Sequence, residues 1–226
     1  MYQQLKDVRQ ELTGPGGLFQ VDEVEVRGQM LKTFALAPPS LRDVWLMTAG
    51  FAERDYLLYA DERWTYADAM AETASIANWV MAQGIQRGDR VAVSMRNYPE
   101  WMLCYWALTS IGVGVVGMNA WWVAADMSYG LDDSAPNILI GDQDRLKTFM
   151  PVRDQFPDMK IVGVRLAEPV EGVVDYAELR AQGGDMPDVV VDPDDDACIF
   201  YTSGTTGRPK GAQLTHRGCV LNIMNV

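Results

Sequence analysis

The chain has 226 residues, 48% of them hydrophobic, with a net charge of −12 and a pI near 4.5. That length buries one large core or two small ones, and so acidic a surface excludes a general nucleic-acid binder, which meets phosphate backbones with positive charge. Three cysteines (Cys104, Cys198, Cys219) without a Cys-x-x-Cys pair, and the single histidine His216, exclude zinc ribbons and thioredoxin chemistry.

The first residues, Met1 to Asp7, carry no apolar h-region, so no secretory signal is read there. The cysteines sit in apolar stretches, and buried, reduced thiols fit a cytoplasmic protein. Residues 1–30 are mixed in character, with Thr13-Gly14-Pro15-Gly16-Gly17 as a loop. A short amphipathic helix is expected over 41–50. Tyr56 to Tyr59, a turn at Asp61-Glu62-Arg63 and then Trp64-Thr65-Tyr66 read as a hairpin leading into a helix. Thr65 and Asp68 form a near capping box, Tyr66, Met70, Ala74, Ala77 and Val80/Met81 share one face, and Gly84 ends the helix.

Arg87-Gly88-Asp89 then turns into a strand over 90–94, and Asn97 with Pro99 is expected to cap and open the next helix. Further strands are read at 113–118, 137–140 and 160–164, with helices around 125–131 and 144–150. This alternation marks an α/β fold with parallel sheet flanked by helices.

Residues 101–125 contain no charged side chain, which exceeds the length of a membrane span. Gly112, Gly114, Gly117 and Asn119 interrupt the stretch, so it reads as a helix followed by a buried strand. Membrane attachment through this stretch is the alternative, peripheral to a cytoplasmic location. Residues 112–117 also spell Gly-x-Gly-x-x-Gly, followed about twenty residues later by Asp132 and Asp133. The dinucleotide fingerprint needs a strand before its glycines and a helix opening inside them. Here a helix precedes them and they lie within the strand, so the small residues are read as allowing an adjacent helix to pack closely.

Six acidic residues lie between Asp185 and Asp196 with no Lys or Arg among them. With Pro187 and Pro193, they read as a solvated connecting loop. An apolar strand over 197–201 leads from it into Phe200-Tyr201-Thr202-Ser203-Gly204-Thr205-Thr206-Gly207-Arg208-Pro209-Lys210-Gly211-Ala212. Glycines let a backbone turn its N–H groups toward an anion, hydroxyls add donors and lysine adds a point charge. Residues 197–226 hold no Asp or Glu, yet carry Arg208, Lys210 and Arg217. The run points to a phosphate. It is not a Walker A loop, because Pro209 precedes Lys210 and Gly211 stands where a hydroxyl is required.

Tyr201 to Gly211 instead resembles the phosphate-loop signature of the adenylate-forming, or AMP-binding, superfamily. The likeness extends to Trp64-Thr65-Tyr66-Ala67-Asp68, to Gly84 through Val93 with Asn97, to Gly112 through Asn119, and to Leu131-Asp132-Asp133-Ser134 followed by Ile138-Leu139-Ile140. Val113 and Gly117 depart from the family's usual alanine and proline. The resemblance is greatest to the N-terminal part of a fatty-acyl-CoA ligase, for which Trp121-Trp122 is the cue.

The resemblance implies an acid–thiol ligase that uses ATP, Mg²⁺ and CoA. A carboxylic acid, expected to be a fatty acid, attacks the α-phosphate to give an acyl-adenylate and pyrophosphate, and CoA then displaces AMP. An aromatic or amino acid is the alternative, as is a non-catalytic interaction module. The phosphate contacts it implies are Thr202, Ser203, Gly204, Thr205, Thr206, Gly207 and Lys210, with Thr206 (or Thr202) approaching Mg²⁺. Arg208 falls at a variable position and is expected to face solvent, and Tyr201 to pack at the strand end. Thr215 is a natural N-cap, and His216 after it reads as packing or capping, with a catalytic base as the alternative.

Family members are longer, so the chain reads as an incomplete N-terminal domain: a poorly matched segment at 1–40, an α/β core at 41–190, and strand, phosphate loop and starting helix at 191–226. The C-terminal domain and the adenine, ribose and acid-pocket motifs have no counterpart, so these residues alone are expected to be inactive, and to self-associate through uncovered sheet.

Overall fold

The computed structural model describes residues 2–202 and 207–225. Helix α1 (Tyr2–Thr13) has no buried residue. It leads into a hairpin that the sequence reading had not placed, β1 (Val21–Val26) and β2 (Gln29–Phe34). Its turn residues Arg27 and Gly28 have φ of 50° and 78°, the left-handed pair whose twist matches the strands it joins. Helix α2 (Leu41–Met47) opens on a capping box in which the Asp43 carboxylate accepts the Ser40 N–H at 3.0 Å. It continues into a 3-10 turn at Thr48–Phe51.

Strands β3 (Asp55–Tyr59) and β4 (Glu62–Thr65) form the expected hairpin, and α3 (Tyr66–Ala82) follows with Thr65 and Asp68 completing its capping box. Its buried surface is wider than one stripe. Ala69, Thr73, Ser75 and Ile76 are buried as well, because α3 packs against a helix to each side, the 3-10 turn and the β3–β4 hairpin, with Trp45 of α2 bonded to Thr73; Met81, near its end, is 41% exposed. Glu72 is buried on it but fully engaged, accepting from Trp64 Nε1 at 3.0 Å and Tyr176 Oη at 2.9 Å and pairing with Arg180. Gly84, at φ 85°, ends the helix as read.

The rest of the chain is β5 (Arg90–Ser94), α4 (Pro99–Ser110), β6 (Gly114–Gly117), α5 (Ala124–Ser134), β7 (Ile138–Asp142), α6 (Gln143–Phe149), β8 (Lys160–Val164), β9 (Val174–Asp175), α7 (Tyr176–Ala181), β10 (Asp196–Thr202), β11 (Lys210–Thr215) and α8 (His216–Met224). They build one seven-stranded sheet in the order β11-β10-β6-β5-β7-β8-β9, parallel except for β11. From β5 the chain steps to β6 on one side, then crosses to β7 on the other, which is the double winding of α/β sheets.

Alternate residues of each strand feed opposite cores, as the two-residue repeat of a strand requires. Val91, Val93, Val115, Ile138, Ile140, Val162 and Cys198 face α2, α3, α4, α7 and α8. Ala92, Val116, Leu139, Ile161 and Ile199 face α5 and α6. Trp45 anchors the first core: it is fully buried, stacks on Trp106 with centroids 5.0 Å apart, and donates from Nε1 to Thr73 Oγ1 at 3.1 Å.

Two expectations are corrected. The residue that caps α4 is Tyr98, without a side-chain bond, and Pro99 takes the first helical position; Asn97 lies outside. The run after β10 is followed by the antiparallel strand β11, not by a helix-bound loop alone. The charge-free stretch is α4 plus β6, and among the described residues no helix is long and apolar enough to cross a membrane. The glycines of 112–117 follow α4 and enter β6. The one that matters for packing, Gly117, makes room for a strand neighbour: a Cβ there would lie 2.5 Å from Phe200 Cε1.

That contact is measurable. Gly117→Ala is expected to destabilise by about 1–3 kcal/mol in urea unfolding, the usual cost of overfilling a packed core. Combining it with Phe200→Leu should recover part of that loss, as a double-mutant cycle reads coupling between touching residues.

Candidate functional site

Strand β10 joins the sheet by parallel pairing with β6, through Cys198 with Val115, Ile199 with Val116 and Phe200 with Gly117. Thr202 therefore emerges at the carboxyl ends of the parallel strands, the edge at which open α/β sheets hold ligands. Across the hairpin, Thr202 is in register with Lys210 and Tyr201 with Gly211. Thr202 Oγ1 donates to the Lys210 carbonyl at 3.5 Å. Gly207 has φ 106°, a backbone that side chains rarely adopt. Gly211 is needed for a different reason, since a Cβ there would meet Ile199 Cγ2 at 2.8 Å.

The structure thus brings Thr202, Gly207 and Lys210 to one exposed hairpin mouth. Ser203, Gly204, Thr205 and Thr206 lie outside the described residues. Among the described residues Lys210 has no carboxylate within ion-pair distance. Arg217, another cation of the acid-free segment, is committed elsewhere: its Nε and Nη2 grip Asp194 at 2.7 and 2.9 Å. Arg208 is exposed, as read, with its guanidinium over the Tyr129 ring of α5 at 5.1 Å.

The hairpin is fastened at both ends. At the mouth, Tyr201 donates to Asp133 Oδ2 at 2.7 Å and contacts the Gly130 carbonyl at 3.2 Å, with Trp122 edge-on to its ring at 5.2 Å. Burial, then the Asp133 carboxylate, pushes the Tyr201 pKa up, so the phenol stays a donor. At the base, the acidic loop read as solvated is in fact engaged. Asp194 pairs with Arg217 and Asp195 with Arg87, and those guanidinium hydrogen bonds hold both carboxyls below their usual range. The Asp195 carbonyl also accepts the His216 N–H at 3.1 Å.

Thr215 caps α8 as read, accepting the Gly218 N–H at 3.1 Å. His216 behind it is fully buried and accepts the Leu41 N–H of α2 on Nδ1 at 3.2 Å. Burial lowers its pKa to about 4, against the raising effect of Asp195 and Asp43. A shielded imidazole whose lone pair already holds a backbone N–H is a structural link between α8 and α2. Sequence reasoning missed that link, the two arginine pairs and the Tyr201–Asp133 bond, because each joins residues far apart in the chain.

His216 gives a pH signature. With its pKa depressed in the fold, the unfolded chain binds the extra proton between about pH 6.5 and 4, so stability is full above that window and is lost as pH falls through it. Unfolding at pH 5 should show a loss of about 2 kcal/mol relative to pH 7. His216→Gln should flatten that difference in the same urea titrations.

Comparison with known proteins accords with this geometry. Residues 47–226 match the family model described as AMP-binding enzyme. A crotonobetaine/carnitine–CoA ligase of Salmonella arizonae is 30% identical over 191 residues, covering 78% of this chain and 36% of that protein. A medium-chain fatty-acid–CoA ligase of Escherichia coli is 29% identical over 187 residues, covering 78% of this chain and 33% of that protein. The chain therefore spans about a third of the length of the curated relatives it matches. Its fold is that of the corresponding part of an anthranilate–CoA ligase solved with anthranoyl-AMP, with a TM-score of 0.76 at 24% identity over 81% of this chain and 36% of that one. A family match over most of its length, carried onto a hairpin with an open lysine and hydroxyl at the ligand edge of the sheet, places the chain in the AMP-binding enzyme family.

Proposed function

We propose that a protein carrying this chain activates a carboxylic acid with ATP and passes the acyl group to CoA. The observation that carries the proposal is the mouth of the β10–β11 hairpin, where Thr202 and Lys210 face each other in register and no carboxylate pairs with the lysine among the described residues. In the first step an oxygen of the acid attacks the α-phosphorus of ATP, the bond to the bridging oxygen breaks, and pyrophosphate leaves with that electron pair. In the second, the CoA sulfur attacks the acyl carbon and AMP departs.

Negative charge gathers on the β and γ oxygens as pyrophosphate leaves, and donors fixed in advance lower that barrier. In this proposal the Lys210 ammonium, the hydroxyls of Thr202, Ser203, Thr205 and Thr206, and the backbone N–H groups around Ser203 to Gly207 meet that charge. A segment, 197–226, without Asp or Glu fits a polyanion, and Gly207 at φ 106° fits a backbone that must turn closely around one. Mg²⁺, when bound with ATP, neutralises phosphate oxygens, and Thr206 or Thr202 is the hydroxyl assigned to it. Tyr201, tied to Asp133, keeps the mouth of the hairpin fixed against α5.

For the acid, the reading is a fatty acid. Its support is the Trp121-Trp122 pair, in which Trp122 packs on Tyr201 and Trp121 is 79% exposed beside it, together with the relative named for medium-chain fatty acids. The neighbour holding anthranoyl-AMP keeps an aromatic acid as the second reading. Self-association of residues 1–226 through the open outer edge of β11 belongs to the same proposal.

In a full-length protein, Lys210→Ala and Thr206→Ala are each expected to cut acid-dependent ATP–pyrophosphate exchange by about 10²–10³-fold, with unfolding midpoints unchanged. Normal exchange in both variants overturns the phosphate assignment. Screening the same exchange across fatty, aromatic and amino acids decides the substrate class, and acyl-adenylate formation by residues 1–226 alone would contradict the view that downstream contacts are required.

A further inference from the structure

The carboxyl ends of three adjacent parallel strands, β6, β5 and β7, are joined by one buried ion pair. Asp142 ends β7 and Arg145 stands three residues on in α6, with side chains 4% and 9% exposed. Asp142 Oδ1 accepts the Arg145 N–H at 3.0 Å, capping α6, and its Oδ2 accepts the Arg96 N–H, just after β5, at 2.9 Å. Arg145 Nη1 lies 3.4 and 3.3 Å from the same two oxygens. Arg145 Nε donates to the Ala120 carbonyl, just after β6, at 2.9 Å. A buried ion pair stabilises little more than well-packed apolar side chains would. What a guanidinium fork adds is geometry, because it holds a carboxylate and a carbonyl at once in fixed directions.

Ala120 belongs to the turn that carries the two tryptophans. Asn119 folds this turn, accepting the Trp121 N–H on Oδ1 at 2.9 Å and the Trp122 N–H on its carbonyl at 3.1 Å. Trp122 is thereby set between α5 and β10: a Cβ on Gly130 would lie 2.5 Å from its Cζ3, and its ring is edge-on to Tyr201 at 5.2 Å. Tyr201 immediately precedes Thr202. On the other side of the turn, the guanidinium of Arg96 lies over the Trp121 ring at 5.7 Å. The buried pair therefore reaches the hairpin mouth through the Ala120 carbonyl and the Trp122 ring.

We propose that Arg145, seated by Asp142, is a positioning residue for activation of the acid. It fixes the 119–122 turn, whose Trp122 holds Tyr201 and so keeps Thr202 placed toward the departing pyrophosphate. This rests on the ligase reading of the hairpin. Arg145 touches no reactant in this account, and its effect falls on how well the mouth is organised in advance. Losing the Ala120 bond therefore lowers kcat, where contacts made in the transition state are read, and leaves the KM for ATP nearly unchanged.

Arg145→Met leaves the buried Asp142 carboxylate unpaired and is expected to unfold. The test therefore uses Arg145→Lys, which keeps the charge without the fork, together with Trp122→Leu. In the full-length protein, Arg145→Lys should cut the kcat of acid-dependent ATP–pyrophosphate exchange roughly tenfold, with the KM for ATP within about twofold and the unfolding midpoint close to the parent's. Trp122→Leu should act in the same way. The double variant should be no slower than the slower single one, because both changes break the same chain of contacts. Deuterium uptake should rise in peptides covering 119–123 and 200–202 of Arg145→Lys and stay unchanged across β5. Unaltered kcat, a loss carried by KM alone, losses that multiply, or unaltered uptake at 119–123 would overturn the proposal. If the parent exchanges pyrophosphate with no acid, the ligase reading falls and the kinetic role with it, while deuterium uptake still decides the tie from Arg145 to Tyr201.

Discussion

Everything at the ligand edge depends on a three-residue seam. β10 reaches the parallel core only through its pairing with β6 from Cys198 to Phe200, and that seam fixes where Thr202 leaves the sheet. Its geometry is set by size as much as by hydrogen bonding. Phe200 stacks on Trp101 with centroids 6.2 Å apart and occupies the space above Gly117 that any side chain would claim. The end of β10 is thus held by a close-packed aromatic contact on one face and by Tyr201 against α5 on the other.

Charge is distributed along the same unit with a clear division. The chain is strongly acidic; at the base of β10 Asp194 and Asp195 pair with Arg217 and Arg87, and at its mouth Asp133 accepts from Tyr201. The opposite end of the hairpin carries an unopposed ammonium group among the described residues. Arg217 of the acid-free segment is paired at the base, which leaves Arg208 and Lys210 as the cations of the mouth among the described residues.

The fold was legible where local chemistry decides the outcome. Thr65-Asp68 and Thr215 cap helices as their side chains require, Gly84 stops α3, and the strands at 90–94 and 160–164 fall at the residues read. Strand β11 was not legible, because Lys-Gly-Ala-Gln-Leu-Thr has neither the alternation nor the apolar content of a buried strand; it forms by pairing along an exposed edge. The β1–β2 hairpin has its local signal in the Arg27-Gly28 turn after the alternating Val-Asp-Glu-Val-Glu-Val, but its second strand, Gln-Met-Leu-Lys-Thr-Phe, holds a single β-branched residue and gives little strand signal of its own. The acidic loop was misread for the opposite reason: a run of aspartates looks solvated until distant Arg87 and Arg217 arrive. The motif pointed to the run after β10. Its fastening to α5 and α2 depended on contacts no local pattern encodes.

The N-terminal hairpin touches the acidic loop through its turn, where Arg27 donates to the Asp194 carbonyl at 3.1 Å and approaches Asp196 at 3.8 Å, while α1 has no buried residue at all. Local opening of that region uncovers little apolar surface, whereas the amides of β5 and β7, buried on both faces, become accessible only when the whole sheet comes apart. The molecule therefore has a steep internal gradient of persistence: deuterium enters the first thirty residues on a timescale of local fraying, and the central strands report the full free energy of unfolding.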